Sequence, residues 1–403
     1  MPGAVDRSIV GLIWIACATT CLATTGCGGA TRAKRPPAGD GRERSPLVGV
    51  VTHYEPDGRY ESFLTRLDGA SLRPVGPRAD VPELHATWSY SPDGRQVAVG
   101  TGGQGLGIHV YDVERMRLVR AIRTGIAAEA LGWLEPRRLV AALQSGEIVV
   151  TDPRSGRVIT RHRPRAGDGV CFAEGDASGS AAGGLAILLG ARPSRPARLL
   201  LVATDGDVRT VALPAGGRWA CDRAGLALEP GGRRAFVLER DGSVAEVDLA
   251  GMRATFHRLS GDPLKPASAR RLAWLGDGRL VASGRPTRGR PPGVSVIDSA
   301  EWTNRTLDPD ARTVTVAAGL ALTYDGVEVD LGGRGSGLTA YDASGRRRFR
   351  VLAGKQVDFV HAAPGAAFAQ SAATLRRVDL ESGEVGKARR VPRTEIVILE
   401  RPR

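Results

Sequence analysis

The stretch WSYSPDGRQVAVGTGGQGLGIHVYD, which runs from Trp88 to Asp112, decides the fold. The segment Ser91-Pro92-Asp93-Gly94 favours a tight turn, because Pro presets φ and Gly accepts positive φ. The flanking runs 96–100 and 107–112 are rich in β-forming residues. The stretch therefore predicts three strands, the first two joined by a tight turn and the last two by a loop.

Two markers from this stretch recur along the chain in a fixed order. The turn marker recurs as SPDGR at 91–95, EPRR at 135–138, EPGGRR at 229–234 and GDGR at 276–279. Most spacings between instances of the other marker are close to the roughly 40 to 45 residues of a four-stranded propeller blade. That marker is a short apolar run ending in Asp, found at Asp68, Asp112, Asp152, Asp205, Asp248, Asp298, Asp342 and Asp379.

Composition agrees with an all-β repeat protein. The 403 residues include 53 Gly and 25 Pro, and no long helical periodicity is present. We predict a single β-propeller domain over 47–403, with eight four-stranded blades. Seven blades are the alternative, if the degenerate fourth unit at 170–214 merges with a neighbour.

The two ends of the repeat region predict how the ring closes. Residues 47–75 contain only three strand-like runs, whereas an extra run, TEIVILE, follows the last unit at 394–400. A propeller closes by pairing strands from its two termini. We therefore predict that 395–399 complete the first blade.

The amino-terminal region indicates export. Ile9 to Ala23 is an apolar run of 15 residues, shorter than the about 20 residues of a membrane span and typical of an export signal. The small residues before Cys27 resemble the lipobox of bacterial lipoproteins, and this resemblance implies that Cys27 is lipidated and begins the mature chain. Cleavage near Ala23 and an uncleaved anchor remain alternatives. Residues 1–27 are thus a signal segment and 28–46 a disordered Gly, Pro and Arg tether.

The charge does not indicate nucleic-acid binding. The chain carries 56 Lys and Arg against 43 Asp and Glu, a net charge of +13. The cationic residues are spread through every unit, and only 5% of residues are aromatic, so platforms for stacking bases are not evident. We expect a solvated basic surface with weak attraction to anionic lipid or cell-wall polymers.

No motif predicts a catalytic, metal or cofactor site. The GxGxxG pattern at 100–105 links two strands, whereas a phosphate-binding loop links a strand to a helix. A G-x-S-x-G nucleophile motif is absent. The six His residues fall in different units without metal-site spacing, at His53, His85, His109, His162, His257 and His361.

Other recurring residues have structural interpretations. We expect the Asp series to cap turns through backbone N–H groups. Trp88, Trp133 and Trp274 precede turn markers, and we expect them in the core between blades. Cys171 and Cys221 form either a disulfide or two buried thiols. Candidate ligand-binding loops lie at 174–184, 285–292 and 332–337.

The SPDGR turn followed by IHVYD resembles the units of WD-repeat-like bacterial β-propellers, including the Tol-associated and quinoprotein-like groups. The resemblance covers 47–400 and implies a propeller fold. The chain lacks the repeated Trp and cofactor-binding residues of the quinoprotein pattern, so quinone binding does not follow.

These features predict an exported, membrane-anchored and monomeric lipoprotein. We expect a non-enzymatic scaffold that binds envelope proteins or a ligand, with no cofactor and no nucleic-acid partner. One alternative is a propeller enzyme or small-ligand binder of the lactonase or glycan type, with acidic groups in the central channel. A second resembles the eight-bladed lipoprotein that assists outer-membrane barrel assembly. Converging carboxylates or His residues in the channel would favour the enzyme, and an apolar or basic rim would favour a binding partner.

Overall fold

A computed structural model describes residues 47–399 except 58, 103–104, 164–168, 171–179, 182–183, 191–197, 204, 214–224, 239–241, 266–269, 285–291, 327–334, 372 and 393. Cys27, Cys171 and Cys221 lie outside the described residues. Residues Ser45–Arg403 make up one compact unit. Among the described residues no helix is long and apolar enough to cross a membrane.

The described residues form eight sheets, each the blade of a β-propeller, and their strands pair antiparallel except for one short parallel pair in blade 6. The strands of blades 1 to 3 are β1 (Leu47–Tyr54), β2 (Tyr60–Leu67), β3 (Pro74–Asp80), β4 (Leu84–Tyr90), β5 (Gln96–Thr101), β6 (Gly107–Asp112), β7 (Arg117–Arg123), β8 (Ala128–Glu135), β9 (Arg138–Leu143), β10 (Ile148–Thr151) and β11 (Val158–His162). Those of blades 4 and 5 are β12 (Gly169–Val170), β13 (Ser180–Ala181), β14 (Gly184–Gly190), β15 (Arg198–Ala203), β16 (Val208–Ala212), β17 (Gly225–Leu228), β18 (Arg234–Leu238), β19 (Ser243–Asp248) and β20 (Arg253–Arg258).

The remaining strands complete the ring and confirm the predicted all-β fold. They are β21 (Ser260–Gly261), β22 (Arg270–Gly276), β23 (Arg279–Gly284), β24 (Val294–Asp298), β25 (Thr303–Asp308), β26 (Thr313–Ala317), β27 (Leu320–Tyr324), β28 (Leu338–Tyr341), β29 (Arg347–Val351), β30 (Phe359–Ala363), β31 (Ala366–Ser371), β32 (Thr374–Asp379), β33 (Arg389–Arg390) and β34 (Thr394–Ile398). The fourth unit forms a sheet of its own, so the eight-blade prediction holds.

Each blade is an antiparallel meander that runs outward from the central axis. In blade 2 the strand order is β4, β5, β6, β7, from innermost to outermost. Strand β5 is buried along almost its whole length, whereas six of the seven residues of β7 are exposed. The inner strands are covered by blades on both sides, and this explains their short continuous apolar runs.

The core consists of eight apolar clusters, each between two neighbouring blades. Between blades 2 and 3, for example, Ile108 packs with Trp133. A blade cannot bury both of its faces alone, so stability comes from closing the ring.

Ring closure follows the sequence prediction. Strand β34 pairs antiparallel with β1, with Val51 opposite Ile396 and His53 opposite Thr394. It is the innermost strand of blade 1, beside β1, β2 and β3. The predicted closing strand, 395–399, differs from β34 by one residue at each end.

The Asp marker caps the turn between the third and fourth strands of each blade. Asp112, for instance, accepts hydrogen bonds from the backbone N–H groups of Glu114 and Arg115 at 3.0 and 2.8 Å. The bond donated by Ser71 lowers the pKa of Asp68. The capping prediction is therefore confirmed in every blade, at Asp68, Asp112, Asp152, Asp205, Asp248, Asp298, Asp342 and Asp379.

Most residues of the three predicted loops lie outside the described residues, which leave out 174–179, 182–183, 285–291 and 332–334. Ser180 and Ala181 of the first loop pair with β14. The strands that flank the first loop are the first and second of blade 4, and those that flank the other two are the second and third of blades 6 and 7. Ligand binding at these loops stays a prediction.

Candidate functional site

The candidate site is a funnel of about 1010 Å³ at one end of the central channel. Its walls are the turns between the first and second strands of several blades, together with the adjoining ends of β1 and β34. Because these blades lie on different sides of the ring, the funnel spans the axis. Representative lining residues are Tyr90, Asp93, Pro230, Trp274, Ala318 and Pro364.

The turn marker of the sequence builds this funnel. In blade 2, the Ser91 backbone N–H donates to Gln96 O at 2.9 Å, and the Gly94 N–H donates to Ser91 O at 2.7 Å. Gly94 has a φ of 67°, as the turn prediction requires. Equivalent turns lie at Pro230 in blade 5 and Gly276 in blade 6. The marker occupies the same position in each unit, so repetition alone could have predicted that these turns meet at the axis.

Charged side chains of the funnel lie on one side only. Arg66, Asp93, Arg95 and Glu114 come from blades 1 and 2. Asp93 accepts hydrogen bonds from Ser91 Oγ at 2.6 Å and from the Arg95 backbone N–H at 3.0 Å. The bond from Ser91 is the main cause of its lowered pKa. Asp93 is therefore an ionised turn cap, held by its own turn.

The lining that blades 6 to 8 contribute is apolar. Blades 7 and 8 contribute short side chains, among them Ala318 and Pro364. Blade 6 contributes Trp274, whose ring is stacked on Phe236 with centroids 5.7 Å apart. Trp274 thus packs in the core, as expected, and also lines the funnel, which was not expected. Such a surface suits an apolar or amphipathic group.

His109, His257 and His361 lie in different blades. His109 Nδ1 lies 3.3 Å from Tyr111 Oη in blade 2, and His257 of blade 5 stacks on Trp302 of blade 6. His361 Nε2 is buried in blade 8 without a hydrogen-bond partner. Across the described part of the chain, no group of three His, Cys, Asp or Glu side chains could hold a metal ion.

The remaining sequence motifs fit their structural interpretations. The glycines at 100–105 connect β5 to β6, so the GxGxxG pattern lies in a hairpin. Trp133 is buried between blades 2 and 3, and Trp88 packs between blades 1 and 2. These residues position the blades and do not line the funnel.

Exposed Arg residues gather on the outermost strands and the turns leading into them. In blade 2 these are Arg115, Arg117, Arg120 and Arg123. The even spread of Arg over the units does not reveal this concentration. The Arg residue that follows each Asp-marked turn was the available signal.

Solved structures share the fold. At a TM-score of 0.58 and 18% identity, the chain is similar to NirN, a dihydro-heme d1 dehydrogenase in complex with DHE, covering 87% of this chain and 74% of that one. It is similar to Sqt1 of Saccharomyces cerevisiae at 0.54 and 13%, covering 76% and 85%. BamB of Moraxella catarrhalis follows at 0.53 and 12%, covering 83% and 94%.

No protein-family model and no curated protein sequence matches the chain. The three solved structures therefore support the β-propeller fold, and identities this low carry no function with them.

Proposed function

We propose that this protein is an exported, membrane-tethered β-propeller that binds a partner or ligand at its funnel without catalysing a reaction. The observation that carries the proposal is the lining of the funnel: an apolar wall from blades 6 to 8 adjoins the charged residues of blades 1 and 2, of which Asp93 is bound by its own turn. A binding surface needs an apolar area and a few polar groups that fix orientation.

The proposed localisation rests on the amino-terminal sequence. The apolar run 9–23 and the small residues before Cys27 favour export followed by lipidation, and 28–46 would then tether the propeller to the membrane. The first strand of the ring begins at Leu47, which itself lines the funnel.

The sequence resemblance to the eight-bladed lipoprotein of outer-membrane assembly gives a more specific version of this proposal, and small-ligand binding in the funnel is the competing candidate. Both use the same funnel, so one set of variants tests them together.

The first experiment measures the intact mass and the membrane fraction of the native protein beside a Cys27→Ala variant, both expressed in the host. A mass gain of the size of a diacylglycerol, with membrane retention, is expected for the native protein and lost in the variant. An unmodified protein released into the medium would contradict the tethered assignment.

The second experiment tests the funnel. Ala318 is exposed in a turn that lines it, and Ala353 is an exposed alanine in the same blade, in the connection after β29 at the opposite end. Ala318→Glu places a charge against the apolar wall and should abolish cross-linking to the native partner or retention of the native ligand. Ala353→Glu is the matched control and should leave both unchanged. Equal behaviour of the two variants would refute the funnel as the binding site.

A further inference from the structure

The outer surface of blades 2 and 3 combines exposed aliphatic residues with Arg. We define this cationic–aliphatic surface as residues 112–123 and 152–163. Leu118, Val119, Val158 and Ile159 are 46, 36, 40 and 44% exposed. Aliphatic side chains exposed as adjacent pairs on the outermost strands of two neighbouring blades are not required by the propeller, since the outermost strand of a blade can be polar throughout.

The surface is continuous across the two blades. Arg120 Nε on β7 donates a hydrogen bond to Arg154 O of blade 3 at 2.9 Å. The side chain of Arg120 also lies against the Gly156 turn, where an added Cβ would be 3.4 Å from Arg120 Cδ. Arg120 therefore links the outer edges of blades 2 and 3, which carry the aliphatic pairs of β7 and β11.

Charge alone does not set this surface apart. The two segments contain eight Arg and three acidic residues. The corresponding segment of blade 7, 342–353, contains four Arg and one acidic residue, whereas that of blade 6, 298–309, contains one Arg and three acidic residues. Val351 and Leu352 of blade 7 are only partly exposed, so blades 2 and 3 differ from blade 7 in joining Arg with exposed aliphatic pairs.

We propose that the cationic–aliphatic surface docks on a bilayer of anionic phospholipid. Arg attracts anionic headgroups, and short aliphatic side chains enter the headgroup region. The surface is without aromatic residues, which argues against a nucleic acid as its occupant. This inference rests on the proposed membrane tether, because the chain outside the structure, 1–46, joins the ring in adjacent blade 1 and carries the apolar run.

The aliphatic pairs lie at the same end of the propeller as Leu47, the first residue of β1. Leu118 and Val158 are the second and first residues of β7 and β11, and Leu47 is the first residue of β1. Antiparallel pairing places the start of the second and of the fourth strand of a blade at the same end. Leu47, which follows the tether in the sequence, and the aliphatic pairs therefore lie at one end of the propeller.

The test uses the full-length lipidated protein in vesicles of phosphatidylcholine alone or mixed with phosphatidylglycerol. Exposed Arg residues are modified with phenylglyoxal and mapped by mass spectrometry. Modification of Arg115 and Arg154 should slow only on the anionic vesicles, and high salt should remove the difference. Modification of Arg253 and Arg347, which begin the outer strands of blades 5 and 7, should stay the same on both.

Variants identify the contributing side chains. Each Arg near an anionic surface contributes about 1 kcal/mol, or about fivefold, so Arg117→Gln with Arg157→Gln should lower the docked-to-undocked ratio about 30-fold. Arg253→Gln with Arg347→Gln is the matched control at equivalent positions and should retain the protection of Arg115. Leu118→Ser with Ile159→Ser should also lower the ratio without changing the charge.

Each of the following outcomes would overturn the proposal or one part of it. Equal modification of Arg115 on both vesicle types, or equal slowing at Arg253, refutes docking through this surface. Protection by soluble polyglutamate as strong as that by anionic vesicles assigns the surface to an acidic polymer or protein. Loss of the protein from phosphatidylcholine vesicles refutes the tether alone, because docking is then measured by retention on anionic vesicles.

Discussion

Replacing Ile396 by Ala tests whether the carboxyl-terminal strand holds the ring closed. Ile396 lies on β34 opposite Val51 of β1 and is 1% exposed. It packs in the cluster between blades 8 and 1, with Phe63 and Phe368. No other blade interface depends on two chain ends meeting.

The expected loss of stability follows from the volume removed. The substitution deletes about three methylene equivalents, worth about 0.8 kcal/mol each when fully buried. The cavity left between two rigid blades adds to this loss, for a total of about 3–4 kcal/mol. Ile159→Ala makes the same change at a residue that is 44% exposed, where a loss within about 0.5 kcal/mol is expected.

Urea unfolding followed by tryptophan fluorescence measures both variants. The midpoint for Ile396→Ala should fall well below those of the parent and of Ile159→Ala. If the two variants lose equal stability, or if Ile396→Ala loses less than about 1 kcal/mol, then β34 does not pack as the inner strand of blade 1.

Three further predictions concern single groups. Burial lowers the pKa of His361 to about 4. As the pH falls below about 6.5, the unfolded chain therefore takes up a proton before the folded protein does, and the free energy of unfolding should drop by about 3 kcal/mol by pH 4. His361→Leu should reduce this pH dependence, and an equal pH dependence of the free energy of unfolding in the variant and the parent would contradict the prediction. The Tyr111 hydroxyl is buried and donates to a backbone carbonyl of β3 at 2.9 Å, so Tyr111→Phe should cost about 1 kcal/mol in urea unfolding, and no loss would argue against that bond. A bridge between Cys171 and Cys221 predicts no titratable thiol from this pair in denatured, non-reduced protein, whereas two per chain would exclude it.

The parts of the fold that the sequence predicts are those controlled by local chemistry. Pro92 and Gly94 determine a turn within four residues, and Asp112 caps one through bonds to residues two and three positions ahead. Repetition of such turns at a blade-length spacing predicts the ring. The closing strand was also predictable, because blade 1 has only three strands of its own.

The site depends on relations that the sequence does not display. Pro230 and Tyr90 are far apart in the chain and meet only because their blades share an axis. The cationic–aliphatic surface likewise requires β7 and β11 to be neighbours. Counting Arg per unit showed a uniform spread, because it did not separate outermost strands from inner ones.

The composite first blade also determines the order in which the protein matures. His53 and Thr394, which face each other in this blade, are 341 residues apart, and bringing ends this distant together costs about 5 kcal/mol of chain entropy. During synthesis the exposed edge of β1 must wait for the last residues of the chain. If the protein is exported as proposed, this delay keeps the chain open while it crosses the membrane, because the ring cannot close until its carboxyl end is available.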